Sequence, residues 1–217
     1  MKKILGIIGL GYVGLPLAIE FSKKRRVIAF DNDQEKISKL KKKNFFYKAT
    51  HNENDLEACQ IFLVTVPTPI DKFKKPDLSH LKSACEIVGR NISKNSIVVF
   101  ESTVYPGCTE EFCAPIIEKK SGLIYNRDFY CGYSPERINP GDNSHTLTKI
   151  NKLVSGSNKK ICFELKTLYE EIIKKKIFTT ETIKIAESAK VIENTQRDLN
   201  IALINEFAMI LNKLNID

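Results

Sequence analysis

Short apolar runs rich in β-branched residues recur along the chain at 4–8, 27–30, 61–66, 97–100, 129–133 and 152–154. Between them, segments 15–24, 33–43, 78–92, 109–119 and 159–175 carry apolar positions at spacings near 3.6 residues. Brief apolar runs bounded by turn signals fit strands buried on both faces, and the intervening period fits amphipathic helices. Their alternation predicts βαβ units, and so an α/β fold with a doubly wound, mostly parallel sheet. From 182 to about 214 the pattern changes to a stretch with neither proline nor glycine, whose apolar residues from Ile183 to Leu211 spread over more than one face. At ~1.5 Å per residue it is one helix of about 50 Å. That is too long to cover a sheet, and its apolar distribution predicts burial on two sides.

Hydrophobic residues make up 42% of the 217, with 10 glycines besides, which is the composition of a globular chain rather than a disordered or collagenous one. No apolar run approaches the ~20 residues a bilayer requires. The start Met1-Lys2-Lys3 is followed by an apolar stretch broken by Gly6, Gly9, Gly11 and Gly14, which reads as the first strand of a cytoplasmic protein and not as a signal peptide. The net charge of +8 sits largely in runs such as Lys41-Lys42-Lys43 and Lys174-Lys175-Lys176. These read as solvated helix faces, so no nucleic acid or membrane partner is expected. Six cysteines, none in a CxxC pair, read as reduced and mostly buried thiols, and the three histidines share no metal-ligand spacing, so no metal is expected.

The chemistry begins at Gly9-Leu10-Gly11-Tyr12-Val13-Gly14, a GxGxxG placed directly after an apolar strand and opening a helix. The first glycine permits the tight turn, the second lets the backbone approach a pyrophosphate, and the third allows close helix–strand packing. Asp31 ends the second strand, where a carboxylate accepts hydrogen bonds from an adenosine ribose diol. It is followed by Asn32 and Asp33 rather than arginine, which favours NAD over NADP.

Three further strand ends run into proline- and hydroxyl-bearing loops: Val64-Thr65-Val66-Pro67-Thr68-Pro69, Glu101-Ser102-Thr103-Val104-Tyr105-Pro106-Gly107, and the segment from Tyr133 to Asp142 containing Ser134-Pro135-Glu136-Arg137-Ile138. Ligands of open α/β sheets bind outside the carboxyl ends of the strands, so all three loops fall on the ligand edge, although each alone also reads as a shaped turn. In the long helix Lys190 and Asn194 are four apart and Arg197 three further on, along one stripe. Glu187 and Glu193 also offer Lys190 an ordinary solvated ion pair, and spacing alone does not choose between the two.

Taken together, GLGYVGLPLA, VTVPTPI, ESTVYPG, GYSPERINPGD and AKVIENTQRDLNIALINE resemble, in order and over essentially the whole chain, the nucleotide-sugar 6-dehydrogenases. That group contains the UDP-glucose, GDP-mannose and UDP-N-acetylhexosamine dehydrogenases. SPERINPGD and ENTQRDLNIALINE are most similar to the branch that oxidises UDP-N-acetylglucosamine or UDP-N-acetylgalactosamine for capsule, Vi-type and O-antigen polysaccharides. The glucose branch carries an acidic residue four positions after its SPE glutamate, where this chain has Pro140.

The resemblance implies an NAD-binding Rossmann-like domain over 1–181 and a central interdomain and dimerisation helix over 182–217, hence a homodimer. It implies NAD contacts at Tyr12, Val13, Asp31, Lys36, Thr68 and Thr103, with Gly9, Gly11 and Gly14 shaping the turn. Glu136 matches the acid/base glutamate. Arg137 and Ile138 match positions lining the sugar-nucleotide site. Lys190 matches the lysine that steadies the developing oxyanion, Asn194 a partner of the water or oxyanion, and Arg197 a residue near the substrate. Thr103 matches a catalytic position as well. The expected reaction converts a UDP-N-acetylhexosamine to its uronate in two hydride transfers. UDP-N-acetylmannosamine or another UDP-sugar is the alternative substrate, and a non-catalytic NAD-binding or partner chain the alternative role. The chain departs from the family in lacking the glycine-rich segment that carries its cysteine nucleophile beyond the long helix, and none of the six cysteines takes that place. The UDP-gripping C-terminal domain is absent too. These departures imply a truncated chain without sustained turnover.

Overall fold

The computed structural model describes residues 2–42, 46–136 and 147–216. Eight strands form one sheet in the order β3-β2-β1-β4-β5-β6-β7-β8. They are β1 (Leu5–Ile8), β2 (Val27–Phe30), β3 (Lys48–Thr50), β4 (Ile61–Val64), β5 (Ile97–Phe100), β6 (Tyr130–Tyr133), β7 (Lys152–Gly156) and β8 (Ile177–Thr179). All neighbours pair in parallel except β6 and β7. The helices are α1 (Gly14–Ser22), α2 (Gln34–Lys41), α3 (Ser79–Asn91), α4 (Ala114–Ser121), α5 (Lys159–Glu170) and α6 (Ile183–Lys213). A π-helical turn at Thr109–Cys113 leads into α4, and a 3-10 turn at Glu53–Ala58 precedes β4.

Alternation along each strand sends side chains to two cores. Leu5, Ile7, Val27 and Ala29 pack with Leu17, Phe21, Leu165 and Tyr169 on the face of α1 and α5. Ile8, Ile28, Phe62 and Phe100 pack with Leu81, Val88 and Ile117 on the face of α3 and α4, and Ile183 and Ala186 of α6 join them. Burial on both faces explains why the central strands are almost wholly apolar. The chain departs from β1 toward β2 on one side and β4 on the other, and a sheet whose order reverses there leaves a crevice beyond the strands' carboxyl ends.

Five of the six cysteines are buried and all are free. Burial pushes the Cys59 thiol up to about 12 and raises Cys131 and Cys162, so these thiols remain protonated at neutral pH and make poor nucleophiles.

The expectation that the long helix is buried on two sides does not hold within this chain. In α6 only Ile183, Ala186 and Glu187 are buried, and from Val191 onward its large apolar side chains are exposed. The sheet and its helices cover one end of α6, and the rest projects past them.

Candidate functional site

The loops that leave the strands begin with the backbone still in register. Gly9 donates its N–H to Phe30 O, Asp31 to Thr50 O, Thr65 to Ile8 O, Glu101 to Val64 O and Ser134 to Phe100 O, each bond 2.9–3.2 Å long. Each loop therefore starts from a fixed position on one edge of the sheet. Between them lies a cleft of about 720 Å³.

Gly9 adopts φ +93°, a conformation glycine reaches without steric cost. A Cβ on Gly14 would stand 1.9 Å from Gly9 O and 2.4 Å from Thr65 Oγ1, so the third glycine is fixed by packing. A Cβ on Gly11 would meet nothing within 4 Å. Gly11 instead borders the cleft, where its missing side chain leaves the backbone open to a ligand. The N-cap of α1, Val13, has no side-chain hydrogen bond and the first turn has no acidic residue, so the helix presents backbone N–H groups and a positive dipole end to the cleft. That donor set fits a pyrophosphate.

Asp31 closes β2 at the cleft wall. Its Oδ2 accepts from Leu10 N at 2.8 Å and Lys36 Nζ at 2.8 Å, and its Oδ1 accepts from Asp33 N at 3.0 Å. Burial raises its pKa, but the Lys36 ammonium and the two backbone donors outweigh burial and hold the carboxyl below its ordinary value. Three of the roughly four acceptor positions of a carboxylate are thus engaged. One acceptor position is left for a ribose hydroxyl, and a second hydroxyl would have to take the position now held by Lys36.

On the opposite wall, Thr68 Oγ1 donates to Thr103 O at 2.7 Å and Ser102 Oγ to Val66 O at 2.6 Å, stitching the β4 loop to the β5 loop. Lys190 reaches from α6 to donate to the backbone carbonyl of Glu136 at 2.6 Å. Lys190 also lines the cleft, while Glu187 is committed elsewhere, accepting from Gly107 N at 2.5 Å and Thr109 N at 2.9 Å.

The cleft brings together Gly9, Gly11, Tyr12, Val13, Asp31, Lys36, Thr68, Thr103, Glu136 and Lys190. Gly14 is buried beneath it. Asn194 is half-buried one turn beyond Lys190 and is not among its lining, and Arg197 pairs with Glu193 at 3.0 Å in a shallow groove further along α6. Arg137 and Ile138 lie outside the described residues.

Sequence reasoning passed over Thr65, which donates to Gly9 O at 2.6 Å and braces the glycine turn. It also passed over Lys152, whose ammonium lies 2.9 Å from Glu101 Oε2 and 3.1 Å from Glu136 Oε2 in the interior. A lysine directly before the apolar pair Leu153-Val154 of a strand was the available signal, since a lysine drawn into the interior needs a buried partner.

This sheet order, the glycine turn and the carboxylate closing β2 define an α/β dinucleotide-binding protein of the dehydrogenase class. Residues 3–48 and 43–173 match the NAD binding domain of the UDP-glucose/GDP-mannose dehydrogenase family, and residues 184–217 match that family's central domain. The chain belongs to the UDP-glucose/GDP-mannose dehydrogenase family. It is 51% identical to a UDP-N-acetyl-D-glucosamine 6-dehydrogenase of Salmonella typhi over 98% of this chain and 53% of that one. It is 52% identical to the enzyme of the same name from Pseudomonas aeruginosa, over 98% of this chain and 54% of the relative. Among solved structures, a UDP-D-ManNAc dehydrogenase from Pyrococcus horikoshii superposes with a TM-score of 0.91 at 32% identity, over 98% of this chain and 55% of the other. The chain spans about half the length of the curated relatives it matches.

Proposed function

We propose that this chain supplies the NAD-binding side of a UDP-N-acetylhexosamine 6-dehydrogenase acting in polysaccharide synthesis, with UDP-N-acetylglucosamine or UDP-N-acetylgalactosamine as substrate. In this reading 1–181 is the NAD-binding domain, and 182–217 is an interdomain helix through which two copies pair. The observation that carries it is the convergence of the glycine turn, Asp31, Glu136 and Lys190 on one cleft. The names of the two relatives above half identity support the substrate class.

NAD, when bound, accepts hydride from the sugar's C6 carbon. The chain's residues bind and move protons around that event. The turn from Gly9 to Gly14 and the start of α1 hold the pyrophosphate, Asp31 and Lys36 the ribose, and Tyr12, Val13, Thr68 and Thr103 the remaining surface of the cofactor. Glu136 takes the proton of the C6 hydroxyl, and the Lys190 ammonium steadies the charge that develops on its oxygen, the usual division between general base and fixed positive charge. Arg137, Ile138, Asn194 and Arg197 are assigned to the sugar nucleotide.

None of the six cysteines lines the cleft, and this observation favours a second reading, in which the chain binds NAD without turning over sugar. Incubation with NAD and each UDP-N-acetylhexosamine separates the two, with the chain alone and with the C-terminal half of the Salmonella relative added. The first reading expects two NADH per sugar in the second arm. NAD binding without NADH in both arms supports the other.

A further inference from the structure

Behind Glu136 the structure holds a chain of ionisable side chains that the proposed acid/base chemistry does not yet use. Glu101 leaves β5, Glu136 follows β6, Lys152 opens β7 and Tyr169 lies on α5. The side chains of Lys152, Glu101 and Glu136 keep only 2%, 0% and 6% of their surface exposed. The Lys152 ammonium bonds to both carboxylates and sits 5.0 Å above the Tyr169 ring, while the Tyr169 hydroxyl donates to Glu101 Oε1. Both glutamates border the cleft. Lys152 bridges the two glutamates, and Tyr169 caps the Glu101 side.

One buried ammonium is shared between two carboxylates, and two carboxylates held this close to one another resist joint ionisation. Burial raises the Glu101 pKa, and the Glu136 carboxylate adds to that, against the pull of Lys152 and Tyr169. Burial works against the Lys152 ammonium, but the two glutamates outweigh it and hold the lysine charged. Among the described residues, the other titratable groups around the cluster are Tyr133 from β6, whose hydroxyl donates to Ser102 O, and Lys190 and Glu187 from α6. His80 of α3 borders the cleft too. None of these bridges the two carboxylates as Lys152 does.

We propose that Glu101, Lys152 and Glu136 form a proton-sharing unit, with Lys152 as the positioning residue, so that a proton taken up by Glu136 is spread over two carboxylates. The inference rests on the reading of Glu136 as the acid/base group. The step balances in protons: Glu136 accepts one from a bound hydroxyl or water, Lys152 passes one of its own to Glu101 and recovers the one on Glu136, and the ammonium is regenerated. Glu136 is then free to accept again while Glu101 stores the proton. Such coupled groups titrate as a pair, in two steps that belong to neither alone.

The test follows the Glu136 carboxyl carbon by NMR in the glutamate-labelled chain as pH is varied, with Glu136→Gln for assignment. In the unaltered chain both carboxyls should show the same two titration steps. Glu101→Gln keeps an acceptor for the Tyr169 hydroxyl and removes the second carboxylate. It should leave Glu136 with one step, at least one pH unit below the upper step of the unaltered chain, a tenfold change in proton affinity. Lys152→Met gives an independent readout and should raise the Glu136 midpoint by one unit or more. A Glu136 carboxyl that titrates identically in the unaltered chain and in either variant overturns the inference. NAD titrations on the same samples keep the two ideas apart. An unaltered chain that fails to bind NAD defeats the proposed function but leaves the shared titration standing.

Discussion

Gly11 and Gly14 sit three residues apart in sequence and differ in role. Gly14→Ala drives a methyl into Gly9 O and Thr65 Oγ1, so it should cost about 1–3 kcal/mol in urea unfolding through overpacking. Gly11→Ala meets only open space and should leave stability unchanged while weakening NAD binding, since the methyl enters the volume reserved for pyrophosphate. The reverse pattern would show that the cleft is not where the dinucleotide lies. Asp31 gives a pH prediction with a definite sign. Its folded pKa lies below the ordinary carboxylate value, so it stays ionised as pH falls through 5. NAD affinity should therefore hold level from neutral pH down through the ordinary carboxylate range and decline only below that range, where the carboxyl protonates. Asp31→Ala should lower the affinity and abolish that acid limb in calorimetric titrations. The glycine turn and Asp31 were legible in the sequence because their roles follow from backbone conformation and position at a strand end. Lys152 was not, because a buried ion pair depends on which strands become neighbours, and β7 meets β6 in the one antiparallel pairing of the sheet.

At the scale of elements, a buried carboxylate helps tie α6 to the sheet body. Glu187 accepts from Gly107 N and Thr109 N at the turn that starts the segment leading to α4, and one turn later Lys190 reaches the Glu136 carbonyl. Glu187→Ala strips two buried N–H groups of a charged acceptor. It should destabilise the chain by about 2 kcal/mol or more, read as a lower urea midpoint at constant slope. A loss under about 0.5 kcal/mol would mean that water or a neighbour replaces the carboxylate. The strands 27–30 and 97–100 were readable to the residue, because fully apolar runs between turn signals admit one interpretation. β3 and β8, three residues each and half exposed or mixed, were missed because runs that short carry no periodicity. The 109–119 segment, expected as one helix, opens with a π-helical turn before α4, and the hydrogen-bond shift responsible leaves no trace in apolar spacing.

The whole molecule presents an unbalanced surface. Leu199, Ile201, Ile204, Phe207, Met209 and Ile210 are all at least half exposed on α6, a run of apolar surface beyond what a soluble monomer ordinarily shows. The chain should self-associate at micromolar concentration, and light scattering should give a dimer or larger species. Ile204→Asp together with Phe207→Asp should shift it toward monomer without lowering NAD affinity, whereas a clean monomer before substitution would contradict pairing through this helix. The length of α6 and its multi-sided apolar character were legible in sequence, but its exposure was not, because periodicity shows that a face needs cover and not which molecule provides it. The central claim, that the cleft at the carboxyl ends of β1, β2 and β4 is an NAD site, is tested most directly by calorimetric titration of the purified chain with NAD and with NADP. The account predicts one NAD per chain and an NADP affinity at least ten times weaker, because a 2′-phosphate would meet Asp31 with Lys36 already committed to it. Equal affinities, or no saturable heat with NAD, would contradict it.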